Sequence, residues 1–238
     1  MEISFYTTNS DDVFMTLPLP GINGGGDIPV IVDNVTTKIE DLTAFAGFAG
    51  LLLGSEDLSF KIKGRTTIHV GKLHTKVNYN EMVKMKGFNK LTGMEIQSYN
   101  LVPNNPNINL AGKVLIPNPT VVTIEMVTAP QYAPLVYFKV ANITLKGNVH
   151  ISFSLNGTVL GFGTIPNLTI TPGNHQYDFQ GKLGDKAMTA LLTAIISGGK
   201  NTALTVKGNG TEVDGVDIPW LSSPLASLEV TVPIAVSG

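Results

Sequence analysis

Asp41-Leu42-Thr43-Ala44-Phe45-Ala46-Gly47-Phe48-Ala49-Gly50-Leu51-Leu52-Leu53-Gly54 and Asp185-Lys186-Ala187-Met188-Thr189-Ala190-Leu191-Leu192-Thr193-Ala194-Ile195-Ile196-Ser197-Gly198 stand 144 residues apart and follow one pattern. The match runs on without a gap to Lys63-Gly64 in the first copy and Lys207-Gly208 in the second. Phe48 aligns with Leu192, Leu51-Leu52 with Ile195-Ile196, and Phe60 with Leu204. So long a period means a tandem of two similar domains, not a solenoid of short repeats. Met188, Leu191, Leu192, Ile195 and Ile196 follow i, i+3, i+4, i+7, i+8 spacing, with Thr189, Thr193 and Ser197 opposite, which predicts one amphipathic helix per copy. Asp41 and Asp185 are placed to cap these helices, and Gly54 and Gly198 to end them in the left-handed conformation.

Around each helix the pattern changes to period two. Val149, Ile151, Phe153 and Leu155 alternate with His150, Ser152 and Ser154. Leu58, Phe60 and Ile62 alternate with Ser59, Lys61 and Lys63; Leu228, Val230 and Val232 alternate with Glu229 and Thr231; Val136, Phe138 and Val140 form another row. Asn156-Gly157, Pro172-Gly173-Asn174 and Asp214-Gly215 are turn chemistry between them. The fold class is therefore mainly β: two tandem antiparallel β-sandwich domains, each with one short α-helix. Pro103 to Asn107 cannot continue a central strand, so the expected domains are 1–102, read as N-terminally truncated, and 110–238. Prolines on both sides of Asn118 make that segment an edge or a bulge.

Composition narrows the function classes. Charged residues are 14% of the 238, and the net charge is −2. An ordinary soluble domain carries about 25%. That balance predicts no basic footprint for nucleic acid or anionic headgroups. Cysteine is absent, which removes disulfides, thiolate metal sites and thiol catalysis. No apolar run reaches the length that spans a bilayer. Five Asn-x-Thr sequons, at Asn34, Asn142, Asn156, Asn167 and Asn209, mark candidate glycosylation sites of a lumenal or extracellular domain. The strand-like start Ile3-Ser4-Phe5-Tyr6 right after Met1 suggests a piece of a longer, membrane-anchored protein.

Ile116-Pro117-Asn118-Pro119-Thr120, then Leu155 to Gly161, then Thr171-Pro172-Gly173-Asn174 ahead of a helix, resemble in their order the group-two late embryogenesis abundant domain, the water-stress-type sandwich. The tandem form, with Met85-Lys86-Gly87-Phe88 before the Asn-Pro strand, is similar to a fungal uncharacterised family related to vacuolar membrane proteins that help terminate autophagy. The resemblance implies a lumenal or extracellular module behind a transmembrane helix outside this chain, on the vacuolar or another endomembrane, with lipid held between sheet and helix. It carries over no catalytic residue.

Candidate chemistry is sparse. His69 and His74 lie five apart, which on one strand puts the rings on opposite faces, so neither they nor the surface residues His150 and His175 are expected to hold a metal. Asp214-Gly215-Val216-Asp217 lacks the ligands of a calcium loop, and Gly24-Gly25-Gly26 precedes no helix. No enzyme, cofactor or nucleic-acid partner is expected. Two readings follow. In the first, Phe45, Phe48, Leu52 and Leu53, with Leu192, Ile195 and Ile196, wall an apolar site for lipid, the small residues Ala46, Gly47, Ala49 and Gly50 leaving room. In the second, the chain is a structural or adhesive module that meets protein partners through an apolar patch or an edge strand, the Pro117–Pro119 segment foremost.

Overall fold

The computed structural model describes residues 2–8, 11–21, 37–120, 147–198 and 202–234. The row Val136, Phe138 and Val140, the Gly24–Gly26 stretch, and the sequon residues Asn34 and Asn142 lie outside them. The described residues are mainly β, in two sheets with three α-helices. In chain order they are β1 (Glu2–Thr7), β2 (Val13–Pro18), β3 (Lys38–Ile39), α1 (Leu42–Gly54), β4 (Asp57–Val70) and β5 (Leu73–Lys86). A 3-10 turn at Asn89–Leu91 leads to β6 (Glu95–Leu101), β7 (Leu110–Asn118), β8 (Asn148–Leu155), β9 (Thr158–Ile165) and β10 (Gly173–Leu183). Then come α2 (Asp185–Gly198), β11 (Ala203–Val213), β12 (Val216–Asp217), α3 (Pro219–Ala226) and β13 (Glu229–Pro233).

The duplicated stretch sits in two units of one topology. The first sheet has the order β3-β2-β1-β4-β5, and the second contains β10-β9-β8-β11-β12, with β7 and β6 added beyond β10 and β13 pairing β11. In each unit the helix falls between the third and fourth strands of the order of synthesis. Register agrees too: Ile3 faces Gly64 and Phe5 faces Ile62, while Ile151 faces Gly208 and Phe153 faces Val206. Ile3-Ser4-Phe5 and Ile151-Ser152-Phe153 are the same tripeptide. The repeat thus reaches back through the first hairpin of each unit, beyond the helix and strand that announce it.

Each unit contributes a single sheet, and one continuous core joins them. The buried cluster runs from Leu52 and Phe60 through Ile96, Val114 and Phe153 to Val232 and Ile234. Residues 102–109 do not separate cores: they link β6 to its paired neighbour β7, and Val102 N–H donates to the Asn109 carbonyl at 3.1 Å. The chain changes sheets earlier, between Lys86 and Glu95. Gly87 makes that passage possible, because a Cβ there would lie 2.3 Å from the Ser55 carbonyl oxygen and 2.8 Å from that of Leu52. The Asn-Pro segment is an edge on its β6 side, as its prolines suggest. β7 lies between β10 and β6. Its β6 ladder ends at Leu115, so beyond that residue Pro117 has no hydrogen bonds to break on that side. Asn118 is buried, and its Oδ1 accepts the Thr120 N–H at 2.9 Å, an Asx turn.

Helix ends depart from expectation in detail. Asp41 caps α1, its Oδ1 accepting from the N–H groups of Thr43 and Ala44 at 2.8 and 2.9 Å. Gly54 is not left-handed; the cap is Ser55, in extended conformation with φ −100°. In α2 the first carbonyl to accept belongs to Gly184, from Met188 N–H, so Asp185 sits inside the first turn, where its charge complements the dipole. Thr189, Thr193 and Ser197 each donate to the carbonyl four residues back. The third helix, α3, has no counterpart in the repeat pattern. Pro219 starts it and Pro224 lies within it, so the sequence reads there as broken rather than helical.

Candidate functional site

The interior beneath the helices is largely filled. Phe45 and Phe48 of α1 join an aromatic cluster in which Phe48 stacks on Phe14 at 5.0 Å and meets Phe60 edge-on at 5.6 Å, while Phe45 meets Trp220 of α3 edge-on at 4.9 Å. Gly50 brings the helices together, its Cβ position 3.9 Å from Pro224. The small residues of α1 thus serve close packing here. Among the described residues an apolar void of about 50 Å³ remains, bounded by Leu53, Met94, Ile116, Val206, Leu221 and Leu225 among others. An apolar cavity of ~150 Å³ admits benzene, so this one is too small for an acyl chain.

Of the residues expected to form a lipid wall, Leu53 lines this void. Leu52 is buried in the core, and Phe45 and Phe48 are in the aromatic cluster. On α2, Ile195 is buried, Leu192 is half-buried and Ile196 points outward, 84% exposed. Ile195 shares the main core cluster with Leu52 and Leu53, while Phe45 and Phe48 lie in the aromatic cluster and Ile196 faces away from both. Leu221 and Leu225, which sequence reasoning missed, close the void from α3. Their signal, an apolar pair four apart, was masked by the prolines.

A second exposed feature lies in the first sheet. β4 and β5 pair in unbroken register from Asp57–Lys86 to Val70–Leu73. The neighbouring strand β1 ends on β4 at Arg65. The five residues beyond it, about 17 Å of strand, have no described partner but β5. Gly71 turns the ribbon with φ +62°, followed by Lys72, the pattern of a two-residue hairpin loop with glycine first. Residues opposite each other share a face. One face carries Tyr79, Thr66 with Val77, Ile68 with Thr75, and Val70 with Leu73. Val70 is 70% and Leu73 76% exposed. The other face carries Lys84, Lys61, Lys63, Arg65, Lys76 and the His69–His74 pair.

Residues 61–84 hold six basic side chains and one acidic, net +5, in a chain of net −2. The overall balance hides this basic footprint because the acidic residues lie elsewhere. Lys63 is tied down: its Nζ is 3.1 Å from the Asp11 carboxylate and 4.4 Å over the Tyr6 ring. That hydrogen bond holds the Asp11 carboxyl below its usual range. Lys86 meets Glu56 and Asp57 at the base. Arg65, Lys72 and Lys76 have no ion pair among the described residues.

The histidine geometry corrects an expectation. His69 and His74 do not lie on one strand; they flank the turn, face each other across the ladder, and stack with centroids 5.9 Å apart. Five residues across a tight hairpin place rings on one face, not two. Among the described residues no group of three metal-ligating side chains occurs. His150 lies 3.5 Å from Glu212, whose carboxyl is held low, first by the Asn148 amide at 3.0 Å. Asp214-Gly215 is a hairpin turn with both φ positive, at 49° and 78°. Asn156, Asn167 and Asn209 are exposed. No helix among the described residues is long and apolar enough to cross a membrane.

The chain belongs to the family described as "Protein of unknown function (DUF3712)", whose model matches residues 12–131, 120 of the 238. The match takes in the whole β4–β5 hairpin. No curated protein and no solved structure matches the chain.

Proposed function

We propose that this DUF3712 family member is a non-catalytic contact module that engages its partner through the β4–β5 hairpin. The observation that carries the reading is the ribbon beyond Arg65: a two-stranded hairpin is marginal in water by itself, yet this one places its two most exposed large apolar side chains, Val70 and Leu73, at its tip. Around it, the reading takes the two units as tandem copies of one sheet-plus-helix module, supported by their common strand order. It places the chain lumenally or extracellularly, joined to a vacuolar or other membrane by an anchor outside this sequence; the exposed sequons and the resemblance to water-stress-type domains support that placement. Photo-crosslinking tests it. A benzophenone side chain at Leu73 gives adducts in the source cell, and one at Lys186 on α2 does not. Equal or absent labelling at the two positions overturns the reading.

A second reading, an apolar ligand under the helices, rests on the unfilled, wholly apolar void. At 50 Å³ it needs α3 to move before a chain of methylenes enters. Native mass spectrometry after mild purification decides it: a co-purified lipid supports it, and a bare chain that takes up no fluorescent fatty acid sinks it.

A further inference from the structure

We propose that the partner of the β4–β5 arm is an anionic lipid bilayer, entered by the apolar tip while Lys72 and Lys76 lie at the level of the headgroups. This rests on the contact reading above and names its partner. The ribbon has the division of an interfacial amphipathic element: Val70, Leu73, Ile68 and Val77 on one face, basic side chains on the other and at the turn. Lys72 sits between Val70 and Leu73 in sequence, and Lys76 stands about 10 Å behind the tip, within a Debye length of a surface the tip has entered.

Lysines on an exposed strand are also a device against edge-to-edge aggregation. That device accounts for the basic face but not for Val70 and Leu73 at the tip, where it would put charge. A second copy of the arm is a poor occupant, since each arm carries net +5 over residues 61–84 and the two repel. Nucleic acid would use the basic face, where the His69–His74 pair offers the rings for stacking, and would leave the apolar tip residues in water. An anionic bilayer satisfies both halves of the ribbon, because its interface takes apolar side chains and its headgroups take cations.

The test is co-sedimentation of the full chain with phosphatidylserine-containing vesicles and with pure phosphatidylcholine vesicles. The expected result is binding to the first, weakened by salt, and little to the second. Lys72→Gln and Lys76→Gln together weaken it on the order of 25-fold, each cation contributing roughly fivefold. Val70→Ser with Leu73→Ser weakens it at least tenfold with the thermal melt unchanged, because both side chains are already in water. The chain has no cysteine, so His74→Cys and Lys186→Cys each take one environment-sensitive dye. The dye at 74 shifts to the blue on anionic vesicles and the dye at 186 does not. No binding, equal binding to both vesicles, or a shift at 186 alone overturns the proposal. Protein adducts at Leu73 without vesicle binding leave the contact reading standing and defeat the bilayer; no adducts and no vesicle binding defeat both.

Discussion

Val206→Ile is expected to stabilise the protein. Val206 is buried on β11 opposite Phe153 and lines the apolar void. Empty core volume costs ~24 cal/mol per Å³, so a void of 50 Å³ corresponds to about 1.2 kcal/mol. One added methylene buried there contributes ~0.8 kcal/mol. Isoleucine keeps the β-branch that suits a strand. The expected gain is therefore on the order of 0.8 kcal/mol, bounded by the 1.2 above, or roughly 2–3 °C in Tm for a chain of this size. Urea denaturation with an unchanged m-value, paired with a thermal melt, measures it. Leu53→Ala, which widens the same void from α1, sets the scale in the other direction at ~2.7–5 kcal/mol lost. A loss above about 1 kcal/mol for Val206→Ile is the signature of overpacking and would refute the void as a place where side chains can expand.

Three other outcomes follow. Gly208→Ala places a Cβ 2.3 Å from the Leu225 carbonyl oxygen, pushing α3 off β11, and is expected to cost ~1–3 kcal/mol by urea denaturation. Asp41→Ala removes the side-chain acceptor of two α1 N–H groups and is expected to cost ~1 kcal/mol, most of it recovered by Asp41→Asn. Asn148→Ala moves the Glu212 carboxyl titration upward, toward the ordinary glutamate value, in a carboxyl NMR titration. Because the folded value is depressed, the Glu212 contribution is present above the unfolded-state range and lost as pH falls through the folded one; a variant whose acid limb is superimposable on the parent's removes the Asn148 bond as its cause.

The sequence by itself determined what periodicity and local chemistry determine. The i, i+3, i+4 spacing marked α2 and the repeat carried it to α1, the alternation at Val149–Leu155 marked β8, and Asn156-Gly157 and Asp214-Gly215 marked their turns, because backbone period and positive φ are written in consecutive residues. The repeat across 144 residues announced two like units, and their common strand order is its counterpart in space. Pairing between distant strands was not legible. That β7 begins between β10 and β6, that residues 102–109 join neighbours in one sheet, and that His69 meets His74 depend on which backbone lies beside which, and a spacing count is blind to it. α3 escaped because its two prolines weigh against helix locally, while burial of Leu221 and Leu225 against α1 and β11 outweighs them. The arm shows the same division. Its lysines and apolar residues are plain in the sequence, but only the hairpin register sorts them onto opposite faces, and only the end of β1 at Arg65 leaves both faces in water.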